Sequence, residues 1–217
     1  MEQTVRARAV IFDMDGTLVD SNAVVEAIWT TFAERFGLVT ADVLGFSHGR
    51  QTLDTVHRFA PADLDHEVLA AELASTEIET PGGIVEVPGA AEFVASIPSA
   101  LTALVTSAPL LLAKTRMTEA GLPIPPVVVP AEDVDRGKPD PEGYLRAAEL
   151  LGLSPAETVV FEDAPAGIES ARAAGAQVVV VGAYDGPVAN GLHRIPDFTA
   201  ARASVDGGEV VITLDTA

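Results

Sequence analysis

The sequence predicts an α/β protein: a parallel β-sheet with helices on both faces, interrupted after its first strand by a helical insertion. Three observations carry this. From residue 100 onward, short apolar runs alternate with segments of helical period, the pattern of parallel strands joined by crossover helices. One more such run, Ala9–Phe12, sits next to the chain start with no room for a helix before it. Between the two, from about Asn22 to Glu86, apolar residues recur at helical spacing with no convincing strand among them. A chain of 217 residues, 48% of them apolar, holds one full domain of this class with a smaller insertion and a real core.

The first strand runs straight into Asp13-Met14-Asp15-Gly16. Side chains on a strand alternate, so Asp13 and Asp15 point the same way, and Gly16 then lets the chain bend sharply. Two carboxylates side by side resist double ionisation unless a cation or a shared proton relieves them. Asp20 and Ser21 follow, either helping to position a hinge or capping the helix that begins at Asn22. In the insertion, Val24, Val25, Ile28, Trp29, Phe32 and Phe36 form one helical stripe, and Leu64, Val68, Leu69 and Leu73 another. Pro81, Gly82, Gly83, Pro88 and Gly89 make the return linkers. Strands are then expected at Ala100–Val105, Val127–Val129, Thr158–Phe161, Val178–Val181 and Glu209–Leu214. Asp140, Pro141 and Gly152 bracket one helix; Pro165 and Gly175 bracket another.

Ligands of open parallel sheets bind beyond the carboxyl ends of the strands, so the residues that follow each strand matter most. They are Asp13 and Asp15, then Thr106 and Ser107, then Lys138 in a Gly-Lys-Pro turn, then Glu162 and Asp163. Each alone has a bland reading as a turn, a helix cap or a solvated charge. Together, in order, after four successive strands, they describe one crevice with carboxylates, hydroxyls and one of only two lysines in the chain. The net charge of −19 argues against nucleic acid or an anionic membrane as partner. There are no cysteines for disulfide or thiolate chemistry, no secretory signal and no membrane-length apolar run, so a soluble, cytoplasmic protein is expected.

The stretches "DMDGTLVDS", "VTSA", "GKPDP" and "FEDAPAGI" resemble, in order and spacing, the four motifs of the haloacid dehalogenase superfamily, in the branch of β-phosphoglucomutase-like sugar phosphatases. "FSHGRQTLDTVHRFAP" and "FEDAPAG" are similar to the glycerol-phosphate and 2-deoxyglucose-6-phosphate phosphatases. The resemblance implies a Rossmann-like doubly wound core of strand order 5-4-1-2-3, from residues 1–19 and 87–217, and an α-helical cap at 20–86. It implies a Mg2+-dependent phosphatase for small sugar or polyol phosphates, working as a monomer or weak dimer. Asp13 would be the nucleophile that forms an aspartyl phosphate, Asp15 the acid/base, and Lys138 the bridge between Asp13 and the phosphoryl group. Thr106 and Ser107 would meet the phosphate, while His48, Gly49 and Arg50 would face the site from the cap. Mg2+ would be held by Asp13, the carbonyl of Asp15 and Asp163, with Glu162 holding a metal water. Ala108 departs from the glycine common in close relatives. The alternatives are a sugar phosphomutase of the β-phosphoglucomutase type and a non-catalytic phosphate-binding module. The mutase is disfavoured by the lack of lysine before Ala100 and of histidine in the helix after the first motif.

Overall fold

The structure is a computed structural model and describes residues 2–80 and 82–215; the expected linker residue Pro81 lies outside them. In chain order the elements are β1 (Glu2–Ala7), β2 (Ala9–Phe12), β3 (Val19–Asp20), α1 (Asn22–Phe36), α2 (Thr40–Ser47), α3 (Thr52–Phe59), α4 (His66–Glu79) and β4 (Val85–Glu86). There follow α5 (Ala90–Ala95), β5 (Thr102–Val105), α6 (Leu110–Glu119), β6 (Val127–Val129), α7 (Glu142–Leu150), β7 (Thr158–Glu162) and α8 (Pro165–Ala174). The chain closes with β8 (Gln177–Val181), β9 (His193–Ile195), β10 (Ala201–Asp206) and β11 (Glu209–Asp215).

The central sheet is parallel, in the order β6-β5-β2-β7-β8-β9. With the expected strands from Ala9–Phe12 to Val178–Val181 numbered 1 to 5, this reads 3-2-1-4-5, the predicted order seen from its other end, extended by β9. The sixth strand escaped the sequence because His-Arg-Ile is no apolar run. Strand alternation divides the core in two. Phe12, Leu104, Phe161 and Val179 pack on one face; Ile11, Ala103, Val160 and Val180 pack on the other, against α7 and α8. Phe12, Phe93, Phe161 and Phe198 form an aromatic cluster with ring centroids 5.0–6.3 Å apart, so the residues that follow β2 and β7 start from a fixed floor.

Several expectations change. Ala100 and Leu101 belong to a 3-10 turn, and the strand starts at Thr102, whose hydroxyl donates to the Ser99 carbonyl. Glu209–Leu214 is a strand, but of a separate antiparallel sheet ordered β1-β11-β10. Its Val210, Ile212 and Leu214 are buried while their neighbours are not, which is the alternation of a strand with one covered face. The segment from Asn22 to Glu86 is not wholly helical: β4 returns beside β3 as a two-residue antiparallel pair. The four helices have their own apolar cluster around Trp29, Phe32, Val43, Val56 and Leu69. Leu64 and Val68 are not in it; Leu64 precedes α4, and both are exposed, because α4 turns Leu69 and Leu73 inward instead. Helix ends follow the glycine and proline signals, whereas Ser21, offered as a cap of α1, makes no side-chain cap bond and turns its hydroxyl to Asp15. Gly37 closes α1 and Gly175 closes α8, both in the left-handed region, and Pro165 opens α8.

Candidate active site

Asp13 leaves β2 with its backbone N–H still donating to the Phe161 carbonyl at 3.0 Å, so its position is tied to β7. The chain then coils tightly: the Met14 carbonyl accepts from the N–H groups of Leu18 and Val19, at 2.8 and 2.9 Å. Gly16 sits at φ +84, and a Cβ there would collide with the Asp163 carboxylate. Only glycine fits this turn.

Lys138 reaches this carboxyl end from the loop after β6. Its Nζ donates to Asp13 Oδ1 at 2.5 Å, to Glu162 Oε1 at 2.8 Å and to the Val105 carbonyl at 3.4 Å. Glu162 is fully buried and both its oxygens are met: besides Lys138 it takes the Tyr144 hydroxyl at 3.1 Å and the Ala164 N–H at 2.9 Å. A buried carboxylate demands such donors. These donors fix the carboxylate of Glu162, the residue expected to hold a metal water. Asp163 accepts from the Thr17 hydroxyl at 3.1 Å.

Asp13, Glu162 and Asp163 each offer an oxygen, and these oxygens lie within 4.8 Å of one another. Three carboxylates against one ammonium leave two negative charges, the number that a divalent cation cancels. Hard oxygens in a small cluster are also the donor set that such an ion takes, so the residues fit one. The ionisation of the site without it reflects the strain. Burial, together with the charges of Glu162 and Asp15 and against the pull of Lys138, raises the Asp13 carboxyl from the ordinary 3.8 to about 7. Burial and the neighbouring Glu162 and Asp13 push Asp163 up as well. Burial opposes charge on Lys138, but Asp13 and Glu162 outweigh it and raise its pKa.

Asp15 has a different cation. Arg116 of α6, itself buried, donates from Nη1 to Asp15 Oδ1 at 2.8 Å and from Nη2 to Glu77 Oε2 of α4 at 2.6 Å. The Ser21 hydroxyl donates to the same Asp15 oxygen at 2.6 Å. The repulsion expected between Asp13 and Asp15 is thus met residue by residue, by Lys138 for one and Arg116 for the other. The Asp15 side chain is not among the three clustered carboxylates. Arg116, Glu77 and Tyr144 carried no sequence signal, since each sits inside a helix among ordinary amphipathic residues.

The remaining expected residues gather at the same mouth. Thr106 is buried, and its Oγ1 accepts from the Ala108 N–H at 3.0 Å, which leaves its own proton free to donate elsewhere. The Ser107 hydroxyl donates to the Gly49 carbonyl at 2.9 Å, joining the core to the helical insertion. His48 closes α2 with Nδ1 against the Leu44 carbonyl at 2.6 Å. Arg50 lies over the Phe46 ring, 4.5 Å from its centroid, and donates to the Lys138 carbonyl at 3.5 Å. Gln51 donates to the Ala131 carbonyl at 3.1 Å. Core and insertion enclose a cavity of about 80 Å³ that Asp13, Asp15, Asp163, Thr106, His48 and Arg50 all line. This is well below the roughly 300–1,000 Å³ of small-molecule sites.

Residues 7–175 match the family of haloacid dehalogenase-like hydrolases. The chain belongs to that family. The hydrolase is 42% identical over 219 residues to hexitol phosphatase A of Escherichia coli, covering 95% of this chain and 99% of that protein. It is 32% identical to glycerol-1-phosphate phosphohydrolase 2 and 35% identical to 2-deoxyglucose-6-phosphate phosphatase 1, both of Saccharomyces cerevisiae. These matches cover 81% of this chain each, and 75% and 80% of the yeast proteins. Its fold superposes on a hydrolase from Pseudomonas syringae with a TM-score of 0.75, at 24% identity and over 88% of this chain and 95% of that one. Among the described residues of the hydrolase, no helix is long and apolar enough to cross a membrane.

Proposed function

We propose that the hydrolase is a Mg2+-dependent phosphatase that cleaves monoesters of small sugars and polyols through a phosphoryl group carried on Asp13. The observation behind this reading is the Asp13 carboxylate, gripped by Lys138 in the floor of a cavity that Asp15 also lines, with room for a divalent cation beside it. The substrate class rests on the relatives, which are named as phosphatases of hexitol, glycerol and deoxyglucose esters. Residues 20–86 serve as a cap over a core made of residues 1–19 and 87–217.

The ion, held by Asp13, Asp163 and the Asp15 carbonyl with Glu162 behind them, would supply the positive charge that lets a carboxylate approach a phosphate dianion. Lys138 holds Asp13 in place and shares that task. Asp13 attacks phosphorus, and Asp15 gives its proton to the leaving alkoxide, which is too basic to depart unaided. Asp15 then takes a proton from the water that cleaves the aspartyl phosphate. Thr106 donates its hydroxyl to a phosphoryl oxygen and Ser107, whose hydroxyl is engaged by Gly49, meets the phosphate through its backbone N–H, while His48, Gly49 and Arg50 close over the ester.

A phosphate-release screen over hexitol, hexose and glycerol phosphates tests this, with Mg2+ and with EDTA. Turnover that needs Mg2+, is lost in EDTA and disappears in Asp13→Asn is expected. Undiminished release by Asp13→Asn, or by protein shown free of metal, would overturn the mechanism.

A further inference from the structure

The mechanism above leaves a buried ion pair, Glu77 with Arg116, unused. Glu77 stands on α4, only 7% of its side chain exposed, and lines the same cavity as Asp13 and Asp15. One of its oxygens is taken by Arg116 Nη2. Among the described residues no second donor meets this carboxylate, so Oε1 keeps its lone pairs for whatever enters. Arg116 is fixed at its other arm by Asp15, hence the forked guanidinium sets where Glu77 stands relative to the acid/base. Beside Glu77, Asn22, Val25 and Trp29 face the cavity from α1, at the spacing of one helix face. Such a wall offers an acceptor, an amide and an aromatic surface. Arg116, the cation nearest this wall, has both arms engaged, by Asp15 and by Glu77.

We propose that Glu77 is a specificity-determining residue, and Arg116 the positioning residue that aims it, selecting esters whose far end carries neutral hydroxyls over esters whose far end carries a second anion. A hydroxyl donates to the open oxygen of Glu77 and so keeps a hydrogen bond on leaving water, whereas a second phosphate or a carboxylate meets that oxygen acceptor to acceptor, with the one nearby guanidinium already engaged. The inference rests on the phosphatase reading and deepens it. It also separates this cavity from one built for a phosphomutase, which must accept phosphate at both ends of its sugar.

The test is steady-state kinetics of the full chain with Mg2+ on glucitol 6-phosphate and on fructose 1,6-bisphosphate. Glu77→Gln removes the charge and keeps the shape. Its kcat/KM on the hexitol ester should fall about tenfold or more, chiefly through KM, the size expected for one lost charge-assisted hydrogen bond. The preference for hexitol ester over bisphosphate should shrink by a larger factor, because repulsion is lost too. Glu77→Asp keeps the charge and withdraws it by one methylene, so the hexitol KM should rise while the bisphosphate stays rejected. Arg116→Lys, which keeps the charge but not the fork, should behave like Glu77→Asp. If Glu77→Gln proves unfolded by circular dichroism, the other two variants decide. A preference unchanged within about twofold in the folded variants, with or without a general loss of activity, makes the pair purely structural and overturns the inference. Absence of phosphate release by the wild type from every ester overturns the phosphatase reading itself, and this inference with it.

Discussion

Asp13 and Asp15 are two residues apart and meet different cations, Lys138 for one and Arg116 for the other. The separation has consequences at the level of single groups. Lys138 lies between Asp13 and a fully buried Glu162, so Lys138→Ala strands a carboxylate in the core. A loss of about 3–5 kcal/mol in unfolding free energy is expected, to be read by urea titration; a smaller loss would mean that Glu162 is protonated or reaches water. The pH dependence follows from Asp13, whose carboxyl is raised by burial to about 7. Between its unfolded value of 3.8 and that folded value, the folded protein keeps a proton that the unfolded chain has lost. Without metal, stability from this group therefore falls as pH rises through that window. A divalent cation competes with the proton, so Mg2+ should raise Tm more at about pH 8 than at about pH 5. Equal shifts at both pH values would count against Asp13 as a ligand.

At the scale of elements, the sheet supplies rigidity and the helical insertion supplies contact. Phe12 and Phe161 stack at 5.6 Å directly before Asp13 and Glu162, so packing beneath the strands fixes the carboxylates above them. Phe12→Ala should cost about 3–5 kcal/mol, measured by denaturant unfolding, and a shift below about 1 kcal/mol would show that the floor repacks. The insertion acts through loops. Arg50, poised over Phe46 and near the Lys138 carbonyl, is expected to anchor closure; Arg50→Ala should raise KM for a polyol phosphate more than for an aryl phosphate, whose leaving group needs less help. Equal losses on both would assign Arg50 to the phosphoryl site itself. What the sequence made legible follows the same division. Asp13, Thr106, Lys138 and Asp163 each follow a buried apolar strand, and a parallel sheet brings its strand ends together whatever else the chain does. Arg116 meets Asp15 across 101 positions of sequence, because α6 lies beside the turn after β2, and Glu77 across 39, because α6 and α4 pack side by side. No local pattern encodes that. The same holds for Leu64 and Val68, whose helical spacing was real but whose face was not the covered one. The polar strands β1 and β9 owe their existence to partners already in place, so their own residues gave little warning.

Across the whole molecule, core and insertion are joined at the cavity by a few polar contacts: Ser107 to Gly49, Gln51 to Ala131, Arg50 to Lys138 and Arg116 to Glu77. A hexitol phosphate is larger than the cavity of about 80 Å³, so separation of some of these contacts is the expected accompaniment of turnover. The chain reports that motion by itself. Trp29 is its only tryptophan, 4% exposed, and stands on the cavity wall in the insertion. Its indole emission is expected at short wavelength while the helices are shut and should move to longer wavelength as water reaches the ring. No dye or label is needed. Stopped-flow fluorescence on the Asp13→Asn variant, mixed with Mg2+ and glucitol 6-phosphate, should therefore show binding and closure as an optical transient free of chemistry. An emission spectrum indifferent to ester at saturating concentration would mean that the wall carrying Trp29 stays still.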